Sequence, residues 1–194
     1  HIRDSEDKGI GVRLIKNGAW SFCSISNPKS FDEIKNILDD TIRNSDYTNS
    51  NKKNKINLHN NPINKKQIDF PVLKKPEIEE LTSIGLECNK IIMDSPSIIK
   101  SVTNPYYVTS SKYFVNSEGS EILQNFTDVI IEMIATAHES GLTQSVNITE
   151  GGRGGLELIP NKIQQSAKEI AKKASELIKA KPVKEEKTTL VMNP

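Results

Sequence analysis

Long apolar runs are missing from this sequence: nothing in it approaches the roughly 20 residues a membrane-spanning helix needs. An apolar signal core is missing too, since the chain opens His1-Ile2-Arg3-Asp4. Histidine is scarce. Its three copies, at positions 1, 59 and 138, lie far apart, and none has a second histidine or a cysteine at helical ligand spacing. A zinc helix of the His-Glu-x-x-His type starting at His138 would need histidine where Leu142 stands. Cys23 and Cys88 are too few and too distant for a disulfide framework and read as reduced, buried thiols of a cytoplasmic protein. An excess of one charge is also lacking. The formal net charge of +1 gives no reason to expect nucleic acid or an anionic membrane as a partner.

What is present is a soluble balance, 35% hydrophobic and 26% charged over 194 residues, enough for one real core and short of two ordinary domains. The start lacks methionine and reads as the middle of an element, which predicts a piece of a longer protein.

The organising stretch is Tyr106–Gly155, three β-rich runs separated by Asn116-Ser-Glu-Gly119 and His138-Glu-Ser-Gly141. Each turn ends on glycine, which tolerates the positive φ of a hairpin reversal, so the pattern predicts an antiparallel meander. Upstream, Asn17-Gly18 between Ile10–Lys16 and Ala19–Ile25 predicts a two-residue type I′ hairpin. Its alternation sets Ile10, Val12 and Leu14 on one face of the first strand and Trp20 and Phe22 on one face of the second, a surface needing cover. Ser30-Phe-Asp-Glu33 is a capping-box pattern, and Phe31, Ile34, Leu38 and Ile42 recur at helical spacing, predicting a covering helix over 31–43.

Residues 44–66 are rich in asparagine and lysine and predict a mobile surface insert. An imperfect stripe of Ile78, Leu81, Leu86, Cys88, Ile91 and Ile92 predicts a helix, weakened by Gly85 and ended before Pro96. A short strand at 98–102 then turns at Asn104-Pro105 into the meander. Residues 161–179 give the clearest amphipathic helix, with Pro160 at its first turn. A charged linker over 181–187 precedes a new strand at 188–192.

Chemistry is sparse. Gly151-Gly-Arg-Gly-Gly155 lacks the Gly-Lys-Ser/Thr ending of a phosphate loop and follows no parallel βαβ unit. A close backbone approach with Arg153 as a fixed cation is one reading, and a plain turn is the other. No catalytic residue and no metal ligand set can be assigned.

The blocks Glu6-Asp-Lys-Gly-Ile-Gly-Val-Arg-Leu-Ile-Lys-Asn-Gly-Ala-Trp-Ser-Phe22, Val115-Asn-Ser-Glu-Gly119 and Gly152-Arg-Gly-Gly-Leu-Glu157 resemble, in order and spacing, the N-terminal domain of the TldD/PmbA proteins, once called modulators of DNA gyrase. The first block looks more like the TldD side than the PmbA/TldE side. The resemblance implies an α+β fold, an antiparallel sheet with helices packed on it, over residues 1–180. It makes 188–194 the opening strand of a C-terminal catalytic domain. Members are cytoplasmic metallopeptidases that act as homo- or heterodimers with a TldD/PmbA-type subunit, and a His-Glu-x-x-x-His zinc motif lies beyond the region matched here. On that reading this chain holds no cofactor, zinc belongs to the C-terminal domain, and the chain walls a cleft for unfolded peptide while being inactive alone. Ser117, Glu118, Gly152, Arg153 and Gly154 are the candidate substrate-binding residues. The rival reading is a non-enzymatic binding module that contacts nucleic acid or a protein through its lysines. Glu169 and Glu176 among the lysines of the last helix argue against a phosphate track.

Overall fold

The structure is a computed structural model that describes residues 3–49, 55–56, 58–59, 61–159, 162–181, 185, 187, 189 and 191–192, with backbone alone at 47–49. It divides into two compact units, His1–Pro62 and Ile63–Pro194. The sequence suggests a single lobe over 1–180, whereas the structure puts a joint inside the stretch read as an insert.

In the first unit, strands β1 (Gly9–Lys16) and β2 (Ala19–Ser26) pair antiparallel with Val12 opposite Cys23 and Ile15 opposite Trp20. Asn17 and Gly18 both take positive φ, 53° and 80°, the type I′ geometry expected of this dipeptide. Helix α1 (Phe31–Asn49) lies against the hairpin, and Ala19 and Ile25 are buried. Ser30 Oγ accepts from the Glu33 N–H (3.2 Å) and the Glu33 carboxylate accepts from the Lys29 N–H (2.9 Å), a capping box displaced by one residue.

Two expectations fail here. The register puts Trp20 and Phe22 on the face opposite Val12 and Leu14; they are half-exposed, and their rings stack at 6.4 Å. Helix α1 also runs six residues past Arg43. Its later inward positions are polar but self-satisfied: Thr41 Oγ1 donates to the Ile37 carbonyl and Ser45 Oγ to that of Ile42. Hydroxyls closed onto their own helix can be buried without apolar periodicity. Lys16 pairs with Asp46 at 2.7 Å and fastens the extra turn to β1.

The second unit is built on β5 (Glu121–Glu139). Strand β4 (Ile98–Val115) pairs antiparallel along one edge, while β6 (Leu142–Arg153) and the short β3 (Lys65–Asp69) share the other end to end. The meander is therefore present, and Ser140 and Gly141 make its second turn with φ of 53° and 81°. Strand β3, absent from the sequence reading, adds one parallel pairing to an otherwise antiparallel sheet. Its sequence, Lys-Lys-Gln-Ile-Asp, carries no alternation because it is an edge strand held by backbone bonds to β5. The predicted insert thus gives its first residues to α1 and its last to β3. Between them Ile56 N–H donates to the Gly18 carbonyl at 2.9 Å, and 50–54, 57 and 60 lie outside the described residues.

Strand β4 does not turn at Asn104-Pro105. Pro105 stays in the strand opposite Ile131, which a proline tolerates where one edge is free of a ladder. Among the described residues no strand pairs with that other edge.

Val129, Ile131, Met133, Ala135 and Ala137 of β5 point to one face and are completely buried. Over them pack α2 (Ile78–Met93) and α3 (Lys162–Leu177). Ile163, Ala167, Ile170, Ala171 and Ala174 form the inner stripe of α3, where the alanines let the helix approach closely, whereas Leu177, expected on the same side, is exposed. Each fully buried large aliphatic chain contributes about 1.5–3 kcal/mol. The inner side of α2 is Leu81, Gly85, Cys88 and Ile92, whereas Leu86 and Ile78 are exposed. Gly85 is there because a Cβ would stand 3.1 Å from the Pro105 ring. Pro160 and Asn161, the expected start of α3, lie outside the described residues, and so do parts of the linker and of the expected strand at 188–192; Thr189, Val191 and Met192 are in no strand.

No helix among the described residues is long and apolar enough to cross a membrane.

Candidate functional site

The glycine run closes β6 at a crowded crossing. A Cβ on Gly151, whose φ is +134°, would stand 2.0 Å from the Val129 carbonyl oxygen, and one on Gly155 would stand 2.0 Å from that of Lys74. No side chain fits at either position. The close approach lets the Gly154 N–H donate to the Thr127 carbonyl and the Leu156 N–H to that of Lys74, both at 2.8 Å. Glu157, on the single turn that follows, gathers the crossing. Its carboxylate accepts N–H bonds from Gly155 (2.7 Å), Lys74 (2.9 Å) and Leu73 (3.3 Å). These donors, led by Gly155, hold its pKa down to about 2.

Arg153 is fixed from three sides. Nε donates to Asp128 Oδ1 at 3.2 Å, and the guanidinium lies 4.0 Å from the Phe126 ring centroid and 5.0 Å from that of Phe70. Cation–π contact and a partly exposed ion pair orient the head while leaving it about half exposed. Register puts Arg153, Phe126 and Asp128 on the sheet face away from α2 and α3, together with Val108, Phe114, Ile122 and Ile130. Among the described residues of this unit no helix covers that face. A depression of about 240 Å³ lies on it, lined by Lys66, Ile68, Lys112, Phe114, Ile122 and Gln124. A second, of about 220 Å³, opens between Glu150, Gly151 and the start of α3.

The predicted residues do not converge. Gly152, Arg153 and Gly154 are at this crossing. Ser117 and Glu118 sit in the β4–β5 turn, where Asn116 Oδ1 accepts from the Ser120 N–H (2.8 Å) and Glu118 accepts from Asn116 Nδ2 (3.4 Å). Arg153 is level with Asp128, and the turn closes at Glu121. At ~3.4 Å per residue the two groups are roughly 24 Å apart along β5. Sequence reasoning missed Phe70, Phe126, Asp128 and Glu157. The last stands inside the Gly152–Glu157 block beside its Gly155 donor, but nothing local announces the two further donors, Leu73 and Lys74, brought by a loop about 80 residues upstream.

Among the described residues no group of three or more His, Cys, Asp or Glu is placed to hold a metal ion. His138 instead bonds the Thr143 hydroxyl at 3.0 Å. A zinc centre needs at least three protein ligands, so these residues do not fit one. The lysines of α3 are partly neutralised, Lys173 by Glu169 (2.7 Å) and Lys172 by Glu176 (3.8 Å).

Comparison with known proteins adds the family. Residues 71–181 match the PmbA/TldA metallopeptidase central domain, and residues 1–45 match PmbA/TldA metallopeptidase domain 1. A metalloprotease of Methanocaldococcus jannaschii is 29% identical over 96% of this chain and 41% of its own length. One from Methanothermobacter thermautotrophicus is 22% identical over the whole chain and 42% of its length. The chain therefore spans about two fifths of the curated relatives it matches. A crystal structure described as a modulator of a DNA gyrase, from Thermotoga maritima, shares the fold with a TM-score of 0.55 at 11% identity, over 91% of this chain and 39% of that one. With more than half of its residues inside one family domain, the chain belongs to the PmbA/TldA metallopeptidase family, also written TldD/PmbA.

Proposed function

We propose that this chain is the peptide-holding part of a TldD-type zinc metallopeptidase that degrades unfolded peptides in the cytoplasm, as a homo- or heterodimer with a TldD/PmbA-type subunit. The match of residues 71–181 to a metallopeptidase central domain carries this reading. Two relatives named as metalloproteases support it. The described residues offer no ligand set, so in this reading zinc and its water belong to residues outside this chain, and hydrolysis takes place there.

The chain's own contribution is positioning. An extended peptide laid along the open sheet face sets its apolar side chains on Phe114, Ile122 and Ile130. Arg153 has its Nε committed to Asp128 and presents the outer edge of its guanidinium to a peptide carbonyl or carboxylate. Gly152 is partly buried against Leu158 and Gly154 is buried, so of the three it is Arg153 that reaches the peptide. The turn bearing Ser117 and Glu118 marks the far end of the track, roughly seven extended residues away.

Fluorescein-labelled unfolded casein tests the reading. The 194-residue chain binds it, Arg153→Gln weakens binding severalfold, and zinc brings no cleavage. Metal-dependent cleavage by the pure chain, or no binding at all, overturns the proposal.

A further inference from the structure

Strand β4 is the long exposed edge of its sheet, and its outer half is rich in surface a soluble protein normally guards. Val108, Tyr113, Phe114 and Val115 are 46–59% exposed, and Tyr106 and Tyr107 are more than one third exposed. Pro105 and Lys112 are the only guards of the usual kind between Tyr106 and its flanks, and neither shields Tyr107–Ser111. Such an edge invites another strand.

The sequence along it says which strand. Read outward from Ser110, Tyr106-Tyr-Val-Thr-Ser-Ser-Lys-Tyr-Phe114 is nearly symmetric in residue type. An antiparallel copy centred on Ser110 puts Thr109 opposite Ser111, Val108 opposite Lys112, Tyr107 opposite Tyr113 and Tyr106 opposite Phe114. Each pair lies on one sheet face, because the two numbers differ by an even count. Aromatic meets aromatic, hydroxyl meets hydroxyl, and no like charges stand opposed, the pairings that stabilise adjacent strands. The rings are already ordered: the Tyr106 hydroxyl donates to Glu132 at 3.3 Å, and the Tyr113 hydroxyl bonds Glu121. Counted over both copies, the four aromatics offer on the order of 700 Å² of still-exposed surface, against the roughly 1,200 Å² where specific interfaces begin.

We propose that the outer edge of β4 is a two-fold interface with a second copy of this chain, centred on Ser110, that joins the two sheets into one. A two-fold axis is what self-complementarity at a single edge generates. The inference deepens the dimer clause of the proposed function and rests on it, but not on peptide holding at Arg153.

The test uses the whole chain carrying Cys23→Ser, which removes the partly buried thiol and leaves Cys88 buried. Ser110→Cys faces its own mate at a Cα separation of about 4.5–5.5 Å, within disulfide reach. Under glutathione disulfide it should form a covalent dimer, while Gln144→Cys, exposed on β6, should not. Val108→Lys sets like charges opposite Lys112 twice per dimer and should weaken association about tenfold, whereas Val108→Glu should preserve it. Equal behaviour of the two Val108 variants overturns the interface. So does a dimer by sedimentation that Ser110→Cys fails to trap, or a monomer at about 100 μM that instead pairs with an extended peptide. Loss of casein binding by Arg153→Gln with the cross-link intact would sink peptide holding alone.

Discussion

Glu157 is partly exposed, yet three backbone N–H groups from Leu73, Lys74 and Gly155 converge on its carboxylate. Protonation would weaken the carboxylate oxygens as acceptors for those three donors, which is why its pKa falls from 4.5 to about 2. Because the folded pKa is the lower one, the stabilisation is complete above about pH 4.5 and disappears as the pH falls through about 2. Glu157→Gln keeps one carbonyl oxygen but no charge. It should melt at a lower temperature than the natural protein at pH 7, and the gap should narrow below pH 4.5 and close near pH 2, as followed by circular dichroism. A gap independent of pH would mean the charge is irrelevant to the crossing. Arg153 was legible in the sequence as a fixed cation, but its aromatic partners were not. Phe126 and Asp128 join it only once the β5–β6 register is known, and Phe70 comes from a loop that sequence order puts far away.

At the scale of the element, β5 has two unlike faces. Met133 is completely buried under α2 and α3, and its neighbour Ile134 is 37% exposed on the open face. Met133→Ala should destabilise by about 2–5 kcal/mol, because the packed helices cannot collapse into the space it leaves. Ile134→Ala should cost less than about 1 kcal/mol in the same urea titration. Comparable losses would show that the second face is covered in solution. Turn chemistry made the strand ends readable: Asn17-Gly18 and Ser140-Gly141 adopt the positive φ values their sequences call for. Elements without apolar periodicity were not readable. The end of α1 hides behind self-bonded hydroxyls, β3 is a polar edge, and Pro105 resembles a break although the strand passes through it.

For the whole molecule, the division near Pro62 matters more than chain length. Every member of the main core cluster, from Cys88 to Ile178, comes from the second unit. Among its described residues the first unit buries Ala19, Ile25, Thr41 and Ser45, few side chains for a core. The polar composition around the joint disguised it as an insert, since a segment that connects two cores and one that loops out of a single core are equally poor in apolar residues. Small units bury too little surface to offset chain entropy, so the two should differ in autonomy. Residues 63–194 produced alone should fold cooperatively, and Cys88 provides the readout. Burial among Ile92, Met133 and Ile170 pushes its thiol up to about 11, so a disulfide reagent at pH 8 should modify it only as the fold opens. Residues 1–62 alone should show no cooperative melt. Immediate labelling of Cys88 in the isolated second unit, with the intact chain protected, would mean that the core depends on the first unit after all.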